Sequence, residues 1–99
     1  MQSLPQDQSA WQRIEAAKRE TKSHQAHRLV DYLYINGPTL TGELCQECEV
    51  QNLSAAANFI RPALQKRGLT IIANLPHPLI KNRFGEDSMS HEWRIQRLR

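Results

Sequence analysis

Ninety-nine residues, 39% of them hydrophobic and 23% charged, suffice for one soluble domain with a modest core and exclude a two-domain chain. No apolar run approaches the ~20 residues of a bilayer span. The opening MQSLPQDQSA has neither a basic n-region nor an apolar h-region, so a cytoplasmic product without a secretory signal is expected. Thirteen Lys and Arg against ten Asp and Glu leave a formal charge of +3, which favours a polyanionic partner only weakly.

Residues 1–8, with Pro5 and scattered Gln, read as a tail. Helix formers follow from Ser9, a candidate N-cap, and Trp11, Ile14 and Ala17 recur at helical spacing. These three suggest a helix–helix contact, either with the rest of the domain or with a second copy of the chain. Lys18, Arg19, Lys22 and Arg28 beside Trp11 fit a phosphate clamp as well as they fit a solvated helix face. In His24–Asn36 the stripe Ala26, Leu29, Val30, Leu33 and Tyr34 marks a core-facing helix, which Asn36-Gly37-Pro38 ends. Residues 9–36 fit one long helix or two.

A helix capped by Thr39 or Thr41 is expected next, running to Cys48 or Glu49. Leu40, Leu44, Cys45 and Cys48 lie on its inner side, and Glu43, Glu47 and Glu49 face outward. After a turn, Ser54 is the preferred N-cap of the helix Ala55–Arg67, with Asn52 as the alternative. Ala57, Ile60 and Leu64 point inward, and Gly68 is the C′ residue. Pro62 interrupts the helix and is expected to bend it by removing the bond to the Asn58 carbonyl. Strands are expected at Leu69–Ala73 and Glu92–Leu98, the second with Trp93 and Ile95 on one face. Pro76, Pro78, Asn82 and Gly85 between them make a long loop, to which Phe84 is expected to act as an anchor while Trp93 packs the second strand on the core.

The chemistry-bearing candidates divide sharply. His24-x-x-His27 and Cys45-x-x-Cys48 are formally four zinc ligands, but both cysteines fall at inward helix positions where a small apolar residue is wanted. A structural zinc domain is therefore the third reading, and no metal or other cofactor is expected. No phosphate loop, HExxH or nucleophile elbow is present, so the chain is read as not an enzyme.

The stretch GPTLTGELCQECEVQNLSAAANFIRPALQKRGLTII, from Gly37 to Ile72, resembles the helix-turn-helix of the winged-helix family. Leu64-Gln-Lys-Arg-Gly-Leu69 is similar to the end of that family's recognition helix, and Thr41-Gly-Glu-Leu-Cys45 to its preceding helix. The resemblance covers about Ala26 to Leu98. It implies a mainly α fold with a small antiparallel β-hairpin, a winged helix-turn-helix over 24–99, and an N-terminal tail and helical extension over 1–23. It also implies a small bacterial or phage-type DNA-binding regulator of transcription that inserts helix 55–67 into the major groove of double-stranded DNA. Ala55, Ala56 and Ala57 would let the backbone approach closely. Asn58 would meet adenine, Gln65 lies two turns further along the same face, and Ser54 would hold a phosphate. Arg61, Lys66 and Arg67 are assigned to phosphates, and Lys81, Asn82 and Arg83 to a basic wing tip. A homodimer through the N-terminal helix would match two half-sites. The second reading is a protein-interaction module that docks a replication, repair or regulatory partner on Phe59, Pro62 and Trp11.

Overall fold

In the computed structural model, residues 8–81, 83–87 and 89–98 are described. They form α1 (Gln8–Arg19), α2 (His24–Asn36), β1 (Thr39–Leu40), α3 (Thr41–Cys48), α4 (Leu53–Gln65), β2 (Leu69–Asn74) and β3 (Glu92–Arg97). The molecule is thus mainly helical with a small antiparallel sheet, ordered β1-β3-β2. Apart from Gln8, the expected N-terminal tail lies outside the described residues.

Residues 9–36 form two helices. Ser9 is not a cap, because α1 already begins at Gln8. The Thr21 hydroxyl donates to the Ala17 carbonyl at the end of α1, and the Ser23 hydroxyl accepts from the Ala26 amide to start α2. These two bonds satisfy backbone groups that a helix end leaves orphaned, so the break costs little. Gly37, at φ +78°, then closes α2 by donating its amide to Leu33.

Two expected caps are corrected. Neither Thr39 nor Thr41 caps α3, whose N-cap is Leu40 without a side-chain bond. Thr39 is buried in β1, and the Thr41 hydroxyl is engaged with β3. Helix α4 is capped by Asn52, whose Oδ1 accepts from the Ala55 amide at 3.0 Å, while Ser54 is an exposed residue of the first turn. This start puts Leu53 in the core and makes Leu53, Ala56, Ala57, Ile60, Ala63 and Leu64 the inner face. Each large apolar side chain so buried contributes roughly 1.5–3 kcal/mol. Helix α4 runs unbroken through Pro62, which sits exposed in its last turn. It ends at Gln65, two residues short of the expected Arg67, and Gly68 takes φ +77° just beyond.

The sheet was visible in sequence except for β1, which is only two residues long. Thr39 faces Trp93 and Leu40 faces Glu92, so β3 pairs on both edges. On the other side the register runs from Leu69 opposite Arg97 to Asn74 opposite Glu92. Ile71, Trp93 and Ile95 turn into the core with Leu29, Val30, Leu44, Ile60 and Leu64. Ile14 and Ala17 of α1 belong to the same core, and Trp11 lies 5.0 Å from the Tyr34 ring, so the apolar side of α1 is packed within this chain.

Two measurements follow from these contacts. Asn52→Ala should cost about 1 kcal/mol in urea unfolding, as loss of an N-cap does, whereas Ser54→Ala should stay within about 0.5 kcal/mol as an exposed substitution does. The Tyr32 hydroxyl donates to Glu43 at 2.6 Å, and that bond chiefly raises its pKa from 10.0 to about 12. A raised pKa gives stability that is complete below the unfolded value and lost as pH rises through the folded one. The unfolding midpoint should therefore fall more steeply between pH 10 and about 12 in the parent protein than in Tyr32→Phe.

Candidate nucleic-acid interface

Helix α4 buries one face and leaves the other to solvent, which determines what it can present. Ser54, Asn58, Phe59, Pro62 and Gln65 are exposed, while Ala55 and Arg61 are half-buried. Ala56 and Ala57, expected to ease approach to the groove, instead face the core at 2% and 0% exposure. Spacings of four and three divide the outer side into two rows. One carries Ser54, Asn58, Arg61 and Gln65; the other carries Ala55, Phe59, Pro62 and Lys66.

Arg61 is not an unengaged cation. Its Nε donates to the Ile71 carbonyl of β2 at 2.9 Å, and its Nη1 donates to the Asn58 Oδ1. The guanidinium thus ties α4 to β2 and orients the Asn58 amide, which is a different task from the phosphate contact expected of it. Because the amide oxygen meets Arg61, Asn58 has its Nδ2 to offer as a donor.

Lys66 and Arg67 converge on Glu20 in the segment between α1 and α2. Lys66 Nζ lies 3.1 Å from Oε1, and Arg67 Nη2 donates to Oε2. Hydrogen bonds from Arg67 and then Lys66 hold the Glu20 carboxyl below its ordinary range. Arg67 also donates to the Ala63 carbonyl at 2.8 Å, which satisfies an end-of-helix acceptor.

In the segment between β2 and β3, Lys81 and Asp87 form an antiparallel bridge and a 2.6 Å ion pair, so the described residues 83–86 belong to a hairpin tip. Arg83 lies 4.9 Å over the Phe84 ring, and Phe84 is 71% exposed. The expected role of Phe84 as a loop anchor is therefore corrected: its ring is largely in solvent, whereas the Trp93 indole is buried and donates to the Thr41 hydroxyl. Asn82 lies outside the described residues.

The segment Val50–Gly85 contains no Asp or Glu, against Arg61, Lys66, Arg67, Lys81 and Arg83. Glu43, Glu47 and Glu49 stop just before it. This asymmetry was readable in sequence but is hidden by the net charge. Glu20 and Asp87, which pair with Lys66, Arg67 and Lys81, come from outside the segment.

Two of the four formal zinc ligands, Cys48 and His27, are hydrogen-bonded to backbone carbonyls. Cys48 is buried, its thiol pushed up by desolvation, and its Sγ donates to the Arg28 carbonyl at 3.7 Å. His27 Nε2 donates to the Thr21 carbonyl at 2.6 Å. Among the described residues, no three His, Cys, Asp or Glu side chains gather as a metal-binding group. Nor is any helix among them long and apolar enough to cross a membrane.

The chain matches no family model, no curated protein and no solved structure.

Because Glu20 holds two of the five bases, its charge should govern polyanion affinity locally. Glu20→Gln should elute from heparin at higher salt than Glu47→Gln, although both variants gain the same net charge. Equal elution would show that Lys66 and Arg67 are not part of the surface that meets the polyanion.

Proposed function

We propose that this protein is a small winged helix-turn-helix DNA-binding protein, a regulator of transcription that acts by binding rather than catalysis. The observation that carries the reading is the basic segment Val50–Gly85, free of acids in sequence, which spans the outer side of α4 and runs into the hairpin tip as far as Gly85, where Glu86 and Asp87 follow. The element order α2-β1-α3-α4-β2-β3, with β3 central in the sheet, supports a winged helix preceded by a helical extension. In this reading α4 enters the major groove, which is about 12 Å wide and admits one helix. Ser54, Asn58 and Gln65 face the bases or the near phosphates, Ala55 allows close approach, and Arg61 holds Asn58. Lys66, Arg67, Lys81 and Arg83 neutralise phosphates.

A partner-docking module is the second reading, and the observation in its favour is the 65% exposure of Phe59 next to exposed Pro62. Trp11, which the sequence grouped with them, is engaged with Tyr34 and Lys18 inside the chain.

Fluorescence anisotropy with random duplex DNA at two salt concentrations separates the readings. Binding should be micromolar or tighter at low salt and fall steeply as salt rises. The double variant Lys81→Ala, Arg83→Ala should bind all sequences more weakly and flatten the log–log salt slope by up to about 2. Absence of duplex binding at low salt would remove the DNA reading.

A further inference from the structure

The two outer rows of α4 differ in chemistry, and together they carry an inference that rests on the DNA-binding reading. The first row offers amides at Asn58 and Gln65; the second offers Ala55, the Phe59 ring and Pro62 before it ends at Lys66. Phe59 is 65% exposed although it lies midway along a helix whose inner face is wholly apolar. An exposed ring flanked by small apolar residues is the surface that buries a partner's apolar group, and the neighbouring charge indicates which partner. With no carboxylate from Val50 to Gly85, the complementary body is a polyanion. A duplex displays one apolar group in its major groove, the C5-methyl of thymine, next to the N7 acceptor and N6 donor of adenine.

We infer that α4 reads A·T-containing sites, with the Phe59 ring against a thymine C5-methyl and the Asn58 amide on adenine. Arg61 is the positioning residue for this contact. By donating to Asn58 Oδ1 while bonded to the Ile71 carbonyl, it fixes which end of the amide faces outward. The outward Nδ2 suits adenine N7, and the second lone pair of Oδ1 can accept from N6. Asn58 and Phe59 are both exposed but lie on different rows of α4, so the two contacts fall on different sides of the helix within the groove.

Replacing thymine by uracil removes only the methyl group, which gives a direct test. The full chain is titrated against an alternating A·T duplex and against the same duplex containing deoxyuridine in place of thymidine. The parent protein should bind the thymine duplex more tightly, by roughly fourfold for each methyl it buries. Phe59→Ala should bind the two duplexes alike while keeping its retention on heparin and its circular dichroism. Arg61→Ala would also loosen the α4–β2 tie, so Asn58→Ala is the cleaner companion. It should lose affinity for both A·T duplexes while keeping the preference for thymine. Tight binding by the parent without a thymine preference would overturn the inference and leave the DNA reading intact. A preference that survives in Phe59→Ala would overturn it too, by moving the methyl contact elsewhere. If the parent bound neither A·T duplex nor random duplex at low salt, the DNA reading itself would fall, and the Phe59 row would stand as a protein-docking surface.

Discussion

Strand β3 is the constraint on which the rest of the arrangement depends. Its two edges join parts of the chain that are far apart in sequence, β1 near residue 40 and β2 near residue 70. The joint is more than a ladder: the Trp93 indole is buried, its Nε1 donates to the Thr41 hydroxyl at 2.9 Å, and Thr41 donates in turn to the His91 carbonyl. A buried indole N–H without an acceptor would carry a desolvation penalty, so this bond also fixes where α3 can start. With α3 set against β3, and α4 against β2 through Arg61, the outer face of α4 and the hairpin are held by one sheet.

Much of the fold was legible because its long elements follow strong periodicity. The core stripe of α2 and half of the inner face of α4 (Ala57, Ile60 and Leu64) emerge from apolar spacing, and Asn36-Gly37-Pro38 marks the end of α2, whereas the break before α2 has no such signal. The remaining features are decided by tertiary contact. Strand β1 has two residues, too few for alternation to register. The caps went astray where two adequate residues competed. Asn52 and Ser54 cap equally well in isolation, and burial of Leu53 settles the matter. Thr41 looks like a cap until Trp93 is known to need its hydroxyl. The candidate site was legible as residue types but not as tasks. Arg61 reads as a surface cation, yet its place beside β2 gives it a carbonyl to hold, and Phe84 reads as an anchor only if a core is assumed within its reach.

Charge organisation shows why net charge is a poor guide here. The excess of three hides an uneven distribution, because Val50–Gly85 carries five bases and no acid while acids outnumber bases in the remainder, α3 among it. The Glu20 and Asp87 carboxylates counter part of the basic segment from outside it. Exposed ion pairs of this kind contribute little to stability and are screened by salt, so they order long side chains without committing them. A phosphate backbone offers the same bases a denser field and releases condensed counterions, which an intramolecular carboxylate cannot do.

That comparison bears on where affinity and selectivity would arise under the proposed reading. Lys66, Lys81 and Arg83 can change partners cheaply, so they would supply attraction that falls with salt and is blind to sequence, whereas Arg67 is also bonded to the Ala63 carbonyl. Asn58 cannot change partners so freely, since Arg61 holds its amide and is itself held by Ile71. A side chain fixed before contact loses little entropy on contact, whereas a flexible lysine loses more. Pro62, one residue beyond Arg61, acts in the same direction: it restricts the backbone where the outer rows meet the basic end of α4, and it contributes no donor of its own. Under that reading selectivity would sit in the middle of the helix, where Arg61 holds the Asn58 amide, and attraction at its end and at Lys81 and Arg83.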